Sequence, residues 1–435
     1  MIDMRNDISL SVPQPTRLIF ITRTFPRDFN TATYGIYIRM RLLLEASQSL
    51  ADHLDILFFV DPSVKVTEEL RANTEAELKK RWGILATVRL AAEQPISSDR
   101  SYWNHYISPA ISFFRNADYA GTAGTDQIRA FEGCLDSHVS FIVVHRLGAM
   151  CPILLSSAPI PPIFFDLDDV EHRKLMRDLK QPPFYPGKLF GYLKALALLR
   201  GERAAVRRAR KTFLCSQSDK RYLSRFIPSD SLVEIPNTVM HPPAPAPRAT
   251  TESILFLGSF TYGPNVDAAE YLITKVWPIV KVLRPNARLF IAGQRPERIP
   301  SFHSSQADVV FTGFVQDLNV LYSTVRLVCC PILSGGGTRI KIIEAACYGR
   351  PVVSTTIGAE GLAFVHAEEI WLADSVAAFA EACAKFLDDQ ELACQMGQKA
   401  RQRALLTYDR NVILARLRDT IRTGMQEKVS RMATS

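Results

Sequence analysis

The 435-residue chain lacks the features that would place it in several large classes. Its eight cysteines form no CxxC pair and no Cys/His ligand spacing, which excludes a zinc ribbon or a disulfide-stapled fold. Cys329 and Cys330 stand inside an apolar run, so reduced, buried thiols of a cytoplasmic protein are expected. The longest stretch without a charge, Leu147 to Phe165, carries Pro152, Pro159, Pro161 and Pro162. Four prolines exclude a membrane-crossing helix there. The opening residues, MIDMRNDISL, have no apolar centre and do not read as a secretory signal. No repeat recurs along the chain beyond two similar halves. No nucleic-acid recognition motif accompanies the positive charge, so a nucleic-acid partner is not expected.

What is present is a chain with 47% hydrophobic and 22% charged residues, ordinary for a folded protein and long enough for more than one core. The net charge of +8 is unevenly placed: between Arg173 and Arg225 fifteen Lys and Arg face three Asp and Glu. This zone is either a solvated helical surface or a face drawn to anionic lipid headgroups or a diphosphate-bearing acceptor.

The organising stretch runs from Pro331 to Leu362. Arg326 to Cys330 reads as a buried strand, and Ser334-Gly335-Gly336-Gly337-Thr338 as a tight loop. Thr338 is expected to open a helix with Ile340, Ile343 and Cys347 on one face, ending at Gly349 before Pro351. Val352 to Ser354 is the next strand, which completes a parallel βαβ unit. Glycines let backbone N–H groups approach a ligand, and a helix N-terminus adds unpaired donors and partial positive charge. Arg339 and Lys341 in the first turn oppose the helix dipole, which points to an anion between them. Glu344, one turn after Lys341, is placed to accept from ribose hydroxyls. The competing reading is a glycine turn with a solvated Arg-x-Lys.

The segment GGGTRIKIIEAACYGRPVVST followed by GAEGL resembles the signature of the retaining family-4 glycosyltransferases, in the subgroup with GGGTR loops. ILFLGSFTYGPNVDAAEYLITKVWPIV, RLFIAGQ and VVFTGFVQDLNVLYSTV extend the resemblance over most of residues 253–362. It implies an α/β fold of the GT-B type, with two Rossmann-like lobes facing a cleft. The family's pair of glutamates is reduced to one: Glu344 fits the second position and Gly336 replaces the first.

The resemblance implies further sites. Gly258, Gly336, Gly337 and Thr338 would border the donor diphosphate, while Gly313, Phe314 and Val315 would read the base by backbone groups. Gly35, in the first strand-to-helix loop, would also approach the diphosphate or is only a turn glycine, and Arg39 faces either the cleft or solvent. Arg339 and Lys341 would stabilise the leaving group. The strand Ile163 to Leu167 ends in Asp168 and Asp169. Asp168 stands where the family commonly has a histidine beside the transferred sugar, with His172 displaced into the next helix. Asp168 and His145 are candidate sugar or acceptor contacts; Asp168 or Asp169 reads equally well as a helix cap and His145 as structural. With Asp166, these acids also resemble a metal cluster, against which the family implies no metal.

The expected organisation is an acceptor-binding lobe over 1–235, a proline-rich linker over 236–250 and a nucleotide-sugar lobe over 251–408. A final helix over 409–427 is expected to cross back to the first lobe. Residues 187–210 read as a helix with a stripe of Leu189, Leu193, Leu196 and Leu199 that either packs into the lobe or meets a membrane. The expected activity is transfer of a sugar from a nucleotide-diphosphate sugar to an acceptor hydroxyl with retention. No cofactor is expected, and the expected location is cytoplasmic, peripheral at the inner face of a membrane. A nucleotide-sugar 2-epimerase of the same architecture, or a non-catalytic nucleotide-sugar-binding protein, are the alternatives.

Overall fold

In the computed structural model, residues 16–32, 35–93, 124–181, 184–239, 244–249, 251–304 and 308–432 are described. Linker residues 240–243 and 250 lie outside them, as does most of 100–135.

The first lobe alternates strand and helix. It runs β1 (Arg17–Thr22), α1 (Gly35–Gln48), β2 (His53–Val60), α2 (Glu68–Glu77), β3 (Thr87–Ala92), α3 (Thr125–Glu132), β4 (Val139–His145) and α4 (Leu147–Leu155). It continues with β5 (Ile163–Asp168), α5 (Glu171–Leu179), α6 (Lys188–Arg208), β6 (Lys211–Leu214), α7 (Gln217–Leu223) and β7 (Leu232–Glu234). The strands pair in parallel in the order β3-β2-β1-β4-β5-β6-β7. Ile19, Ile21 and Val144 point to one face of the sheet, and Leu18, Phe20 and Val143 to the other. Both faces are therefore covered, as continuous apolar strands such as FIVV and IFF require.

The second lobe runs β8 (Ser253–Leu257), α8 (Gly263–Tyr271), α9 (Trp277–Leu283), β9 (Arg288–Ala292), β10 (Val309–Gly313), α10 (Leu318–Thr324) and β11 (Leu327–Cys330). After these come α11 (Ile340–Cys347), β12 (Val352–Ser354), β13 (Trp371–Leu372), α12 (Val376–Asp388) and α13 (Gln390–Thr407). Its parallel sheet has the order β10-β9-β8-β11-β12-β13. The last helix, α14 (Arg410–Met432), buries Ile413, Leu414, Leu417 and Ile421 against the first lobe's core.

Each sheet reverses direction once, between β1 and β4 and between β8 and β11. Ligands of open α/β sheets bind outside the strand ends at such a switch point. At the second one the backbone is unusually close-packed. Gly293 has φ +142°, and a Cβ there would overlap the carbonyl oxygen of Gly258, so the β8 and β9 turns meet at a spot open only to glycine.

Candidate functional site

The expected helix start at Thr338 moves two residues on. Arg339 has ψ 94° and caps α11, which begins at Ile340. Lys341 thereby occupies the second helical position and its side chain reaches back over the switch point. Its ammonium lies 4.4 Å above the Phe256 ring and donates to Asn265 Oδ1 at 2.9 Å. Asn265 is held in turn by donating to Ser259 O at 2.8 Å. A Cβ at Gly258 would stand 3.1 Å from Lys341 Nζ, so Gly258 leaves the space that this ammonium fills. Burial pushes the Lys341 amine down to about 8, helped by the nearby Arg339 charge. One ammonium donor goes to Asn265, and an anion would supply what the site leaves unmatched.

Arg339 behaves differently. Its guanidinium folds back onto its own loop, donating to Gly336 O, to Gly337 O at 3.1 Å and to Ser334 O at 3.3 Å. It therefore shapes the glycine loop, and Lys341 is the cation at the switch point. Glu344 accepts from Tyr322 Oη at 3.2 Å, and burial lifts its carboxyl to about 7. Tyr322 stacks on Tyr348 with ring centres 4.1 Å apart, which fixes the hydroxyl that holds Glu344. Gly313 ends β10 and accepts from Gly293 N at 2.8 Å. Phe314 beyond it is 44% exposed, and Val315 packs partly against the lobe's core.

The amino lobe closes on this loop. Gly35 begins α1, and a Cβ there would lie 3.0 Å from Ile340 Cδ1, so two helix N-termini face each other across the cleft. Thr338 Oγ1 accepts from Asn237 Nδ2 at 2.9 Å. Glu360 accepts from Arg173 and Arg177, each at 2.6 Å, which ties α5 to the second lobe. Lys174 lies 5.4 Å over the Tyr262 ring and lines the same cleft.

Other expected residues sit elsewhere. Arg39 faces neither cleft nor solvent: it is buried, paired with Asp166 through Nε and Nη2, and it donates to Ile235 O at 2.9 Å and Asn237 Oδ1 at 3.1 Å. His145 is fully buried, with Nδ1 3.0 Å from Thr22 Oγ1. Burial, Arg146 and Arg39 hold it well below its ordinary pKa, so it stays neutral inside the lobe. His172 pairs with buried Glu202 and Tyr222, again as structure. Asp168 adopts φ +59° beside Arg146 at φ +72°. That turn swings its carboxylate inward, where Oδ1 meets Cys215 Sγ at 3.2 Å and Arg39 Nε at 3.5 Å. The acid that faces the glycine loop is its neighbour Asp169, whose Oδ1 a Cβ at Gly337 would overlap. Burial and Asp168 raise the Asp169 carboxyl.

Asp168, Asp169 and Cys215 bring ligand atoms within 4.8 Å of one another. Burial lifts the Cys215 thiol well above its usual range, which opposes the thiolate a metal needs, and Arg39 and Arg146 already flank Asp168. The sequence points to none of Asn265, Lys174 and Asn237 as site residues, and it marks Asp169 only as a helix cap or a member of an acidic cluster. The GPN step at the start of α8 was the available signal for Asn265.

This geometry predicts a contrast between adjacent glycines. Gly337 has φ +70°, so Gly337→Ala is expected to cost about 1–3 kcal/mol in urea unfolding and to impair any activity that needs lobe closure. At Gly336 the nearest atom to an added Cβ is Lys174 Cβ at 3.4 Å, so Gly336→Ala should be close to neutral. Equal effects at the two positions would contradict the packing described.

Residues 251–389 match the family model described as glycosyl transferases group 1. An uncharacterized 44.6 kDa protein in the cps region of Klebsiella pneumoniae is 26% identical over 137 residues. The match covers 30% of this chain and 35% of that relative's length. Among solved structures, sucrose-phosphate synthase from Thermosynechococcus elongatus superposes with TM-score 0.66 at 16% identity, over 94% of this chain and 98% of that one. HepE of Anabaena, in complex with UDP and glucose, gives 0.62 at 13% identity, over 94% and 99%. A TarM mutant of S. aureus, in complex with fondaparinux, alpha-GlcNAc-glycerol and UDP, gives 0.62 at 12% identity, over 93% and 99%. Across nearly its whole length this chain has the two-lobe GT-B fold of these structures, and residues 251–389 of its second lobe are similar to group 1 glycosyl transferases.

Proposed function

We propose that this protein is a glycosyltransferase that moves a sugar from a nucleoside diphosphate sugar to an acceptor hydroxyl, with retention at the anomeric carbon. The observation that carries the reading is the half-buried ammonium of Lys341, which reaches back from the first turn of α11 to the Gly258 turn at the switch point. The ammonium and the N-terminus of α11 both supply positive potential beside the glycine loop, which suits a diphosphate. UDP stands in the HepE and TarM complexes, which favours a uridine donor. Glu344 would hold ribose, and the Gly313-Phe314-Val315 turn the base.

In the reaction, the bond from the anomeric carbon to the diphosphate oxygen breaks and the oxygen keeps the electron pair. Lys341 stabilises that charge. The acceptor oxygen bonds to the same carbon on the same face, and its proton passes to the departing phosphate oxygen. Asp169, which reaches the glycine loop from the amino lobe, would orient sugar or acceptor hydroxyls. The products belong to polysaccharide, glycolipid or other glycoconjugate synthesis. The proposal includes a cytoplasmic enzyme at the inner face of a membrane, where a lipid-linked acceptor would be met.

The test is release of nucleoside diphosphate from a panel of donors with sugar and lipid-linked acceptors, followed by NMR of the product's anomeric proton. Epimerised donor formed without any acceptor would replace this reading with the 2-epimerase. Donor binding without turnover on any acceptor would make the protein a binding module. EDTA is expected to leave turnover unchanged, because Lys341 and helix termini take the place of a divalent ion. Strict dependence on added magnesium or manganese would overturn that expectation.

A further inference from the structure

Helix α6 buries one face from Ala195 onward and leaves the large side chains of its first two turns exposed. Ala195, Ala197, Gly201, Ala205 and Val206 pack into the lobe. Leu189, Tyr192 and Leu196 recur at i, i+3 and i+7 of α6 and form an exposed stripe, with Tyr185 exposed just before the helix. Leu189 is 69% exposed and Leu196 45%, and Phe184 beside them reaches 74%. Of the expected leucine stripe, Leu189 and Leu196 thus face outward, while Leu193 and Leu199 are half-buried. Large apolar side chains clustered in this way mark an interaction surface.

The charge around the stripe identifies what covers it. Lys188 Nζ stands 5.2 Å over the Phe184 ring and 5.8 Å over the Tyr185 ring, and Lys180 and Lys194 are exposed nearby. Arg203 and Arg207 continue the stripe at the same helical spacing. Of the three acids between Arg173 and Arg225, Glu202 is buried against His172 and Asp219 is tied to Arg173. Asp178 alone remains as an exposed acid. A second copy of this chain would bring the same positive charge against itself. Tyr and Phe beside Lys on an apolar stripe suit the headgroup boundary of an anionic bilayer.

We propose that the outer face of α6 docks on an anionic membrane. Leu189, Tyr192 and Leu196 enter the boundary between headgroups and acyl chains, and Lys188, Lys194, Arg203 and Arg207 meet the headgroups. This deepens the peripheral location proposed above and rests on it for its biological setting, while the surface itself is read from α6 alone.

The test is co-sedimentation of the full chain with vesicles of phosphatidylcholine alone, or of phosphatidylcholine with phosphatidylglycerol, at low and high salt. Binding to the anionic vesicles only, weakened by salt, is expected. Each basic residue at such a surface contributes about fivefold in partitioning, so Lys188→Glu with Arg203→Glu and Arg207→Glu should abolish binding. Leu189→Glu with Leu196→Glu should lower it about tenfold or more by removing the inserted groups. Since both leucines are exposed, circular dichroism should match wild type. Tyr192→Trp in otherwise unaltered protein supplies an independent reading, with a blue shift of emission expected on anionic vesicles. Equal recovery on neutral and anionic vesicles, wild-type binding by the leucine variant, or no emission shift would overturn the proposal. So would a dimer in sedimentation equilibrium that Leu189→Glu dissolves. Nucleoside diphosphate release is measured in solution without vesicles, so failure here and failure of the transferase reading are told apart.

Discussion

Replacing Lys341 by alanine is expected to lower turnover by roughly 10²- to 10³-fold, the loss seen when one preorganised donor to a developing oxyanion is removed. Nucleoside diphosphate affinity should fall by about 1.5–3 kcal/mol, the value of a charge-assisted hydrogen bond. Stability should move little, and if anything upward. Burial places the folded pKa of Lys341 at about 8, below its ordinary 10.5, so the folded state disfavours the protonated amine. That penalty is fully present below about pH 8, is relieved as pH rises from about 8 to 10.5, and is absent from Lys341→Ala. A residue that costs stability and strengthens ligand binding is what a binding site requires. Affinity of the wild type for a nucleoside diphosphate should therefore weaken as pH climbs through about 8 and beyond, whereas the variant should show a flat profile over that window. Calorimetric titration at several pH values, paired with urea unfolding, separates the two effects. Unchanged turnover in Lys341→Ala would remove the residue from the reaction.

The second large effect is on stability. Arg39→Ala should destabilise the protein by about 3–5 kcal/mol, because it strands Asp166 as a buried carboxylate without its partner. Asp166→Asn should be costly for the mirrored reason, leaving Arg39 buried and charged. The pair also carries a connection: Arg39 holds Asn237, and Asn237 reaches Thr338 in the glycine loop. Arg39→Lys keeps the charge but has no planar fork to serve Asp166, Ile235 O and Asn237 together. It should recover only part of the stability and leave the loop less well placed. Urea midpoints for the three variants test this. A loss below about 1 kcal/mol for Arg39→Ala would mean that the pair is hydrated.

The fold was largely legible because its signals are periodic. Apolar strands ending in glycine turns and the βαβ unit around Gly335 to Gly337 each follow from local chemistry. The site was less so, and the reasons differ by residue. Asp168 and Asp169 are adjacent acids at one strand end, and only the positive φ of Asp168 decides which carboxylate faces the cleft. Arg339 and Lys341 look equivalent as two cations in one helical turn, yet the tight loop offers its carbonyls to the first and not to the second. Arg39 and His145 were ambiguous because burial depends on partners more than a hundred residues away, Asp166 for one and Thr22 for the other. On α6, spacing alone showed a stripe but not the side of the helix that the lobe would cover.

The most direct measurement is calorimetric titration of the wild-type protein with nucleoside diphosphates, with the matching monophosphates as controls and EDTA present. Saturable, stoichiometric binding of a diphosphate in preference to its monophosphate, weakened at least tenfold in Lys341→Ala, is the predicted result. Absence of binding to every nucleoside diphosphate, or equal affinity in wild type and Lys341→Ala, would contradict a donor site built on Lys341 and the glycine loop.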